Sequence, residues 1–146
     1  MSIPSDAIRG KRLLALDYGD ARIGVAVCDE LHIVVSTRPV INNDATMWDV
    51  LLRRLADDRI DVVIVGVPRK LDDTSSPIIE RILAFIAELK QRTVRPVFDV
   101  DEAFTTQRAR ELMISSGTSK KRRSAKGTKD QVAAAIILQD VIDESR

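Results

Sequence analysis

The sequence predicts a single α/β domain, spanning residues 1–146, built on a mixed sheet of five strands with helices on both faces. Two observations predict this class. The first is a pair of short apolar runs, Leu13–Leu16 and Ile23–Cys28, that flank a polar turn and precede a third strand-like segment at Ile33–Thr37 or a little beyond. The second is the alternation of strands with amphipathic helices in the rest of the chain, which is typical of βαβ units.

The first three strands are expected to form an antiparallel meander. The first of them, at about 12–16, has no polar interruption and is therefore expected to be buried on both faces. A turn rich in Asp and Gly follows it and places the carboxylate of Asp17 at the tip of a central strand. A charge there is costly to bury unless it is paired or binds a cation. An aspartate that only caps its own turn is the alternative interpretation.

A helix and a buried parallel strand are expected next. Asn42, Asn43 and Asp44 are candidate N-caps for an amphipathic helix, in which Trp48 is expected to be a core anchor. The near-continuous apolar run at 61–67 then predicts a parallel strand that lies beside the first strand.

Proline residues mark the elements that follow. Ser76 and Pro77 predict the cap and first position of a helix that ends near Arg92. The last strand is expected at 94–100, and Pro96 indicates that it lies at an edge of the sheet.

Two more helices are expected after the last strand. The first runs to about Met113, and the second starts at a capping-box pattern formed by Thr128 and Gln131 and ends near Asp143.

Composition excludes several classes of protein. Hydrophobic residues make up 45% of the chain and charged residues 31%, which is typical of a globular domain, and no apolar run is long enough to span a membrane. Residues 1–11 lack the apolar core of an export signal and are expected to be frayed. Cys28, the single cysteine, is expected to be a small core residue in a cytoplasmic protein. His32 is the only histidine, which argues against a zinc site.

Positive charge is concentrated in one segment, 118–129, which contains no acidic residue. The formal net charge of the chain is +1, so the rest of the chain carries −5 once six cations are set aside. Such an asymmetry indicates a polyanionic partner that is bound at one place, and we expect a mobile loop here. A solvated linker between two helices is the alternative. The six cations are Lys120, Lys121, Arg122, Arg123, Lys126 and Lys129.

Three acidic residues from distant segments are expected at one edge of the sheet. Asp17 ends the first strand, and Glu102 follows the last strand. Asp130 opens the last helix, and the residues four, seven and eleven positions later are all apolar, so Asp130 shares the stripe that faces the core. An acid that stabilises the helix dipole is the alternative for Asp130 alone.

Carboxylates that approach one another raise each other's pKa values unless a cation neutralises them. A site made only of oxygen ligands favours magnesium or manganese over zinc. With a polyanion-binding segment directly before Asp130, the expected substrate is a phosphodiester. Two ions about 3.5–4 Å apart could activate the attacking water and stabilise the leaving oxygen.

The motifs around these acids resemble those of the YqgF (RuvX) family of Holliday junction resolvases, which have a ribonuclease H-like fold. The segment Asp17–Asp29 matches the family signature, and Val65–Pro68, Asp101–Thr106 and Asp130–Gln139 match further motifs in the same order. Together these matches cover about 13–142, so the set is more specific than any one motif.

The resemblance implies a site and two classes of substrate. It implies that Asp17, Glu102 and Asp130 bind the metal ions and act in catalysis. It implies a nuclease that acts on branched DNA or on the precursor of small-subunit ribosomal RNA. Residues of the matching motifs that are expected to contact nucleic acid are Arg22, Thr105 and Thr106.

The chain departs from the family pattern at two positions. The family usually has glycine after the aspartate that corresponds to Asp72, where this chain has Asp73. It usually has arginine where this chain has Ala103. The glycine and the arginine of the family pattern could each approach a phosphate backbone, and this chain lacks both. The two departures therefore bear on the choice of substrate more than on the metal site.

Two other functions stay open at this point. One is a nucleic-acid-binding module that keeps the fold and lacks the chemistry, although all three acids are present. The other is a nucleotide-binding domain, because Asp17–Gly19 resembles the phosphate-binding turn of the actin and sugar-kinase superfamily; those proteins close two such domains around ATP, and 146 residues supply one. Aromatic residues make up only 3%, which favours binding to backbone and shape over base stacking. The choice between DNA and RNA stays open, and so does a homodimer.

Overall fold

The computed structural model describes residues 3–68, 76–101 and 128–145. The predicted helix that ends near Met113 and residues 118–127 of the basic segment lie outside these ranges. The described elements, in chain order, are α1 (Ser5–Ile8), β1 (Leu13–Tyr18), β2 (Arg22–Cys28), β3 (Val35–Asn42), α2 (Met47–Asp57), β4 (Val62–Val67), α3 (Pro77–Arg92), β5 (Val97–Asp101) and α4 (Thr128–Ser145).

The strands form one mixed sheet in the order β3-β2-β1-β4-β5. β1 is the central strand, antiparallel to β2 and parallel to β4, and β5 lies parallel to β4 at the edge. The predicted α/β class, the antiparallel start and the central position of the first strand are therefore confirmed. None of the described helices is long and apolar enough to cross a membrane.

The two faces of the sheet have separate cores, because successive side chains of a strand point to opposite faces. Leu14 and Leu16 of β1 belong to the core that is completed by α2 and α3. Leu13 and Ala15 belong to the core that is completed by α4. Asp17 follows this alternation and therefore lies on the α4 face.

The boundaries of α3 agree with the sequence prediction. Ser76 is the N-cap, and its hydroxyl oxygen accepts a hydrogen bond from the backbone N–H of Ile79 at 3.3 Å. Pro77 occupies the first turn, where its missing N–H costs nothing. The helix ends at Arg92, as expected.

The third and fifth strands differ from the predicted bounds. β3 starts at Val35 rather than Ile33, because a carboxylate oxygen of Asp29 accepts hydrogen bonds from the N–H groups of Ile33 and Val34 and closes a turn there. β3 then continues to Asn42 through Pro39, which an edge strand tolerates. β5 starts at Val97, three residues later than predicted.

The predicted cap of α2 is wrong. Thr46 is the N-cap position and makes no side-chain capping bond. Asn42 ends β3, while a carboxylate oxygen of Asp44 accepts hydrogen bonds from the backbone N–H and the hydroxyl of Thr46. Trp48 packs against the core as predicted, although it is half-buried, and its ring stacks on Phe85 at 5.1 Å.

The N-terminal segment is more ordered than the sequence indicates. Residues 5–8 form α1, and Ile8 is 0% exposed in the α4-face core. The prediction that residues 1–11 are frayed is therefore wrong for α1 and Ile8. The last helix, α4, begins at Thr128 as predicted, so Lys129 of the basic segment belongs to this helix.

The burial of Ile8 predicts that the N-terminal segment contributes to stability. Replacing Ile8 by Ala should lower the free energy of unfolding by about 2–5 kcal/mol, because the lost methyl groups leave a cavity beneath α4. Urea denaturation measures this change. Leu31→Ala is the matched control, because Leu31 is 70% exposed and its truncation should change the free energy by less than about 0.5 kcal/mol. Equal effects of the two substitutions would contradict the packing of α1.

Candidate active site

Asp17 lies in a row of the sheet that has no side chain beside it on its own face. Its partner on β2 is Gly24. On the other side, β1 and β4 pair in register up to Leu16 and Val65, so the next residues along the two strands are Asp17 and Gly66. Both glycines are buried, and neither places a side chain next to the half-buried Asp17.

The pairing of β2 with β3 is irregular beside this row. The register shifts between Ile23 and Val25, which flank Gly24. Such bulges bend a strand locally and are common next to active sites.

The end of β5 reaches the same edge of the sheet as Asp17. Gly66 of β4 pairs with Val100 of β5, and Val67 pairs with Asp101. Neighbouring strands are about 4.8 Å apart, and β4 lies between β1 and β5, so β1 and β5 are about 10 Å apart. Glu102 lies outside the described residues, but it follows Asp101 directly, and consecutive Cα atoms are about 3.8 Å apart.

The first turn of α4 lies at the level of Asp17. The side-chain amide of Gln131 donates a hydrogen bond to the carbonyl of Arg38 at 2.7 Å. Arg38 pairs with Val25, which in turn pairs with Leu16, the residue before Asp17. α4 packs across β1, β2 and β3 from this point, and its buried positions include Ala134, Ile137 and Val141, as the periodicity predicts. The backbone of Asp130 belongs to this first turn, and its side chain lies outside the description.

The three predicted acids therefore come from segments that meet at one end of the sheet, but the full set is not described. Within ranges 3–68, 76–101 and 128–145, no group of three or more potential metal ligands is found. Two of the three expected carboxylates lie outside this search, so their joint role stays a prediction.

Two further aspartates near this edge belong to the other face. Asp99 and Asp101 alternate with Phe98 and Val100, which pack on the α4 side. Asp99 and Asp101 therefore share the α2/α3 face with Val97. The sheet itself therefore separates them from Asp17, although only β4 lies between their strand and β1.

Arg22 shares the face of Asp17. It opens β2 two residues before Gly24 and is half-buried. An arginine on this face next to the row of Asp17 suits the predicted contact with a phosphate. For Lys129, another predicted nucleic-acid contact, the structure describes only the backbone. The remaining predicted contacts lie outside the described residues: Thr105, Thr106, Lys120, Lys121, Arg122, Arg123 and Lys126.

The turn between β1 and β2 is held by residues that sequence reasoning missed. Asn43 donates from its side-chain amide to the carbonyl of Gly19 at 2.8 Å and from its backbone N–H to the carbonyl of Ala21 at 3.0 Å. Arg81 of α3 donates two hydrogen bonds to the two carboxylate oxygens of Asp20, at 2.8 and 2.9 Å. Asn43 was expected to be a helix cap, and no local pattern singles out Arg81.

The single cysteine and the single histidine lie away from this site. Cys28 pairs with Leu13 at the opposite end of β1. Burial raises the pKa of the Cys28 thiol to about 11, which keeps it protonated and unreactive at neutral pH. A ring nitrogen of His32 lies 2.9 Å from the carbonyl oxygen of Lys11, just before β1. Cys28 is thus the core residue that the sequence predicts.

Comparison with known families gives a match over nearly the whole chain. The sequence profile of a family described as RuvX, Holliday junction resolvase, matches residues 11–144. A protein of Flavobacterium johnsoniae, described as a candidate pre-16S rRNA nuclease, is 35% identical to this chain over 138 residues. The alignment covers 92% of this chain and 98% of that protein. A Christiangramia forsetii protein of the same description is 38% identical over 133 residues, which cover 88% of this chain and 95% of that protein.

Solved structures with the same fold are distant in sequence. Thermus thermophilus RuvC in complex with a Holliday junction substrate aligns with a TM-score of 0.57 at 14% identity and covers 92% of this chain and 95% of its own. The fowlpox virus resolvase in complex with Holliday junction DNA aligns with a TM-score of 0.59 at 15% identity. The alignment covers 91% of this chain and 97% of the resolvase. This likeness confirms the predicted ribonuclease H-like fold.

The turn after Asp17 should not tolerate a side chain at Gly19. A Cβ there would lie 2.6 Å from the backbone carbonyl oxygen of Arg22, so the turn would have to shift. Gly19→Ala should lower the free energy of unfolding by about 1–3 kcal/mol, as overpacking usually does.

Ala21→Ser in the same turn is the matched control, because Ala21 is exposed and surface changes cost less than about 0.5 kcal/mol. Urea denaturation compares the two variants. A Gly19→Ala variant as stable as the wild type would contradict the close packing of the turn.

Proposed function

Because the chain belongs to the RuvX family, we propose that it is a metal-dependent nuclease that hydrolyses phosphodiester bonds in structured nucleic acid. The substrate classes are branched DNA, as in the Holliday junction complexes of the structural relatives, and the precursor of 16S rRNA, as in the names of the sequence relatives. The observation that carries the proposal is the position of Asp17, a half-buried carboxylate between two glycines at the end of the central strand.

The donor chemistry of the site fits a hard divalent cation. Asp17, Glu102 and Asp130 would supply carboxylate oxygens, which magnesium and manganese prefer. The soft or nitrogen donors of Cys28 and His32 are too distant, because Leu13, which lies beside Cys28, is four residue steps from Asp17 along β1, or about 13 Å. The site would hold Mg²⁺ or Mn²⁺, and two ions are expected.

The bound ions would supply a water of lowered pKa and positive charge beside the leaving oxygen. The residues of the chain orient the reactants. The backbone of β1 fixes the direction of the Asp17 carboxylate, and Arg22 on the same face is placed to donate hydrogen bonds to a phosphate. Neither Cys28 nor His32 reaches this site, so the hydrolysis proceeds by direct attack of water rather than through a covalent enzyme intermediate on either of them.

Binding of nucleic acid depends on charge outside the carboxylates. The acids of the site repel a phosphate backbone, whereas the basic segment 118–129 attracts it. This segment leads directly into the first turn of α4, which lies at the level of Asp17. The bound backbone would therefore pass beside the acids.

A cleavage assay tests the proposed function. Four-way junction DNA, single-stranded DNA and an RNA with the 5′ leader of 16S rRNA are each incubated with Mg²⁺, Mn²⁺, Ca²⁺ or chelator. We expect cleavage with Mg²⁺ or Mn²⁺, little with Ca²⁺, which prefers looser coordination, and none with chelator. Full activity in chelator would contradict the metal-dependent mechanism, and binding without cleavage under all conditions would identify a binding module.

Asp17→Asn tests the residue on which the proposal depends. Cleavage should fall by more than about 100-fold, because even the loss of an outer-shell partner of a metal site costs roughly 10–100-fold. Substrate binding should be retained, and the melting temperature in chelator should not fall, because the substitution relieves repulsion between carboxylates. Asp99→Asn is the matched control on the opposite face and should cleave normally. Normal turnover by Asp17→Asn would remove this residue from the mechanism.

The basic segment should supply much of the attraction to the phosphate backbone. Each phosphate neutralised on duplex DNA contributes about 0.9 to the salt slope of binding. Replacing Arg122 and Arg123 by Ala should therefore weaken binding for all sequences and flatten the slope by up to about 2, with a much smaller change in rate at saturating substrate.

Arg9→Ala combined with Lys11→Ala is the control for this measurement, because both residues are exposed and precede β1 at the other end of the sheet. Binding isotherms over a range of salt concentrations measure the slope. An equal slope for the two double variants would contradict the assignment.

A further inference from the structure

The turn that joins β1 to β2 is anchored to two other elements of the fold, and the proposed function gives this anchoring a purpose. We propose that Arg81 and Asn43 are positioning residues that fix the turn 19–21 and thereby hold Asp17 and Arg22 at a set spacing on the α4 face. The inference rests on the proposed function, because the spacing matters only if these two side chains act on one substrate.

The first step is the relation between the two side chains. Asp17 pairs with Gly24, and Arg22 lies two residues before Gly24 on the same strand. Asp17 and Arg22 are therefore diagonal neighbours on one face, at a spacing of about 7–8 Å. The sheet pairs Tyr18 with Ile23, and Arg22 is the first residue of β2 beyond that pair, so a shift of the turn would move the guanidinium of Arg22 relative to the carboxylate.

Asn43 anchors one side of the turn. Its side-chain and backbone N–H groups bind the carbonyls of Gly19 and Ala21, so the two bonds span the turn. Asn43 follows directly after β3, and β3 is paired with β2 through Arg22 and Asn42. The turn is thus fixed to the backbone of the neighbouring strand rather than left to solvent.

Arg81 anchors the other side. Both carboxylate oxygens of Asp20 accept hydrogen bonds from its guanidinium, which fixes direction as well as distance. Arg81 itself is carried on a helix whose neighbouring residue Ile82 is buried in the core. The side chain of Arg81 is 48% exposed and that of Asp20 is 61% exposed, and ion pairs this exposed contribute little net stability. Its geometry is therefore better explained by orientation of the turn than by stability of the fold.

A direct contact between Arg81 and the substrate is the alternative, and a charge exchange separates the two roles. Arg81→Asp should lower kcat roughly tenfold with KM within about twofold, because misplacement of about 1 Å can cost more than this. The double variant Asp20→Arg with Arg81→Asp rebuilds the pair in reverse and should recover kcat to within about threefold of the wild type. An arginine that itself binds phosphate would not be replaced by this exchange.

Asn43→Ala tests the second anchor without changing any charge. It should give the same kcat loss as Arg81→Asp, with little change in KM. Glu88→Gln is the matched control, because it breaks another exposed ion pair of α3, that of Glu88 with Arg92 at 2.8 Å, which lies away from the turn. This control should cleave as the wild type does.

Two readouts do not depend on cleavage. Titration calorimetry with Mn²⁺ on the full chain without nucleic acid should show severalfold weaker binding for Arg81→Asp and Asn43→Ala, because the Asp17 carboxylate is less well oriented. Hydrogen exchange should be faster at the amides of 18–23 in both variants than in Glu88→Gln.

The outcomes separate this inference from the proposed function. A wild type that neither cleaves nor binds Mn²⁺ overturns both. An active wild type with Arg81→Asp and Asn43→Ala indistinguishable from Glu88→Gln overturns the positioning role alone. Failure of the charge exchange to recover kcat, with a raised KM in both Arg81→Asp and the double variant, overturns the role of Arg81 in favour of substrate contact.

Discussion

A carboxylate at the end of a central strand constrains the arrangement around it. Leu13, Ala15 and Asp17 follow one another on a single face of β1, so this face changes from fully apolar to charged within one step of the strand. An ionised carboxylate cannot be covered by apolar side chains without a large desolvation cost. α4 packs over Ala15 and its partner Ala26 and has its first turn at the level of Asp17. The helix that completes this core thus has its first turn at the level of the charge.

The opposite face of the same strand end is closed. Tyr18 lies on that face, and its ring is 4.9 Å from that of Phe85, which also stacks on Trp48. The guanidinium of Arg92 covers the Trp48 ring at 4.8 Å. Aromatic packing therefore covers this side of the strand end, whereas on the other side the neighbours of Asp17 in the sheet are Gly24 and Gly66, which carry no side chain. This difference between the two faces explains why one aspartate of the edge is a candidate for chemistry and Asp99 is not.

The parts of the fold that the sequence predicts are those determined by local pattern. The apolar runs of β1 and β4, the Ser-Pro start of α3 and the apolar stripe of α4 each reflect burial or capping within one element. The boundaries of β3 depend on a carboxylate of Asp29 that binds two amides several residues later. Local periodicity contains no signal for such a bond, so the predicted boundary was wrong.

The residues that hold the candidate site are harder to predict for the same reason. Asn43 lies in an Asn-Asn-Asp run that is typical of a helix cap, yet its side chain binds a carbonyl 24 positions earlier. Arg81 and Asp20 are 61 positions apart and become neighbours only when α3 packs on the sheet. Ile8 likewise lies in a mostly polar stretch of the sequence, and its apolar neighbours in the fold come from other elements. Asp17 itself could be predicted because a charge directly after a buried strand is unusual in any fold.

The basic segment is joined covalently to the first turn of α4. Lys126 is four residues before Asp130, so their Cα atoms are at most about 14 Å apart whatever the conformation of the chain between them. Under the proposed function, cations and acids within this distance would act on the same stretch of phosphate backbone with opposite sign. Divalent ions held by the acids would remove the repulsive part and leave the attraction of the segment unopposed. A substrate backbone would therefore approach the carboxylates closely only when the ions needed for hydrolysis are already bound. Close binding of the substrate would then depend on the same ions as its cleavage.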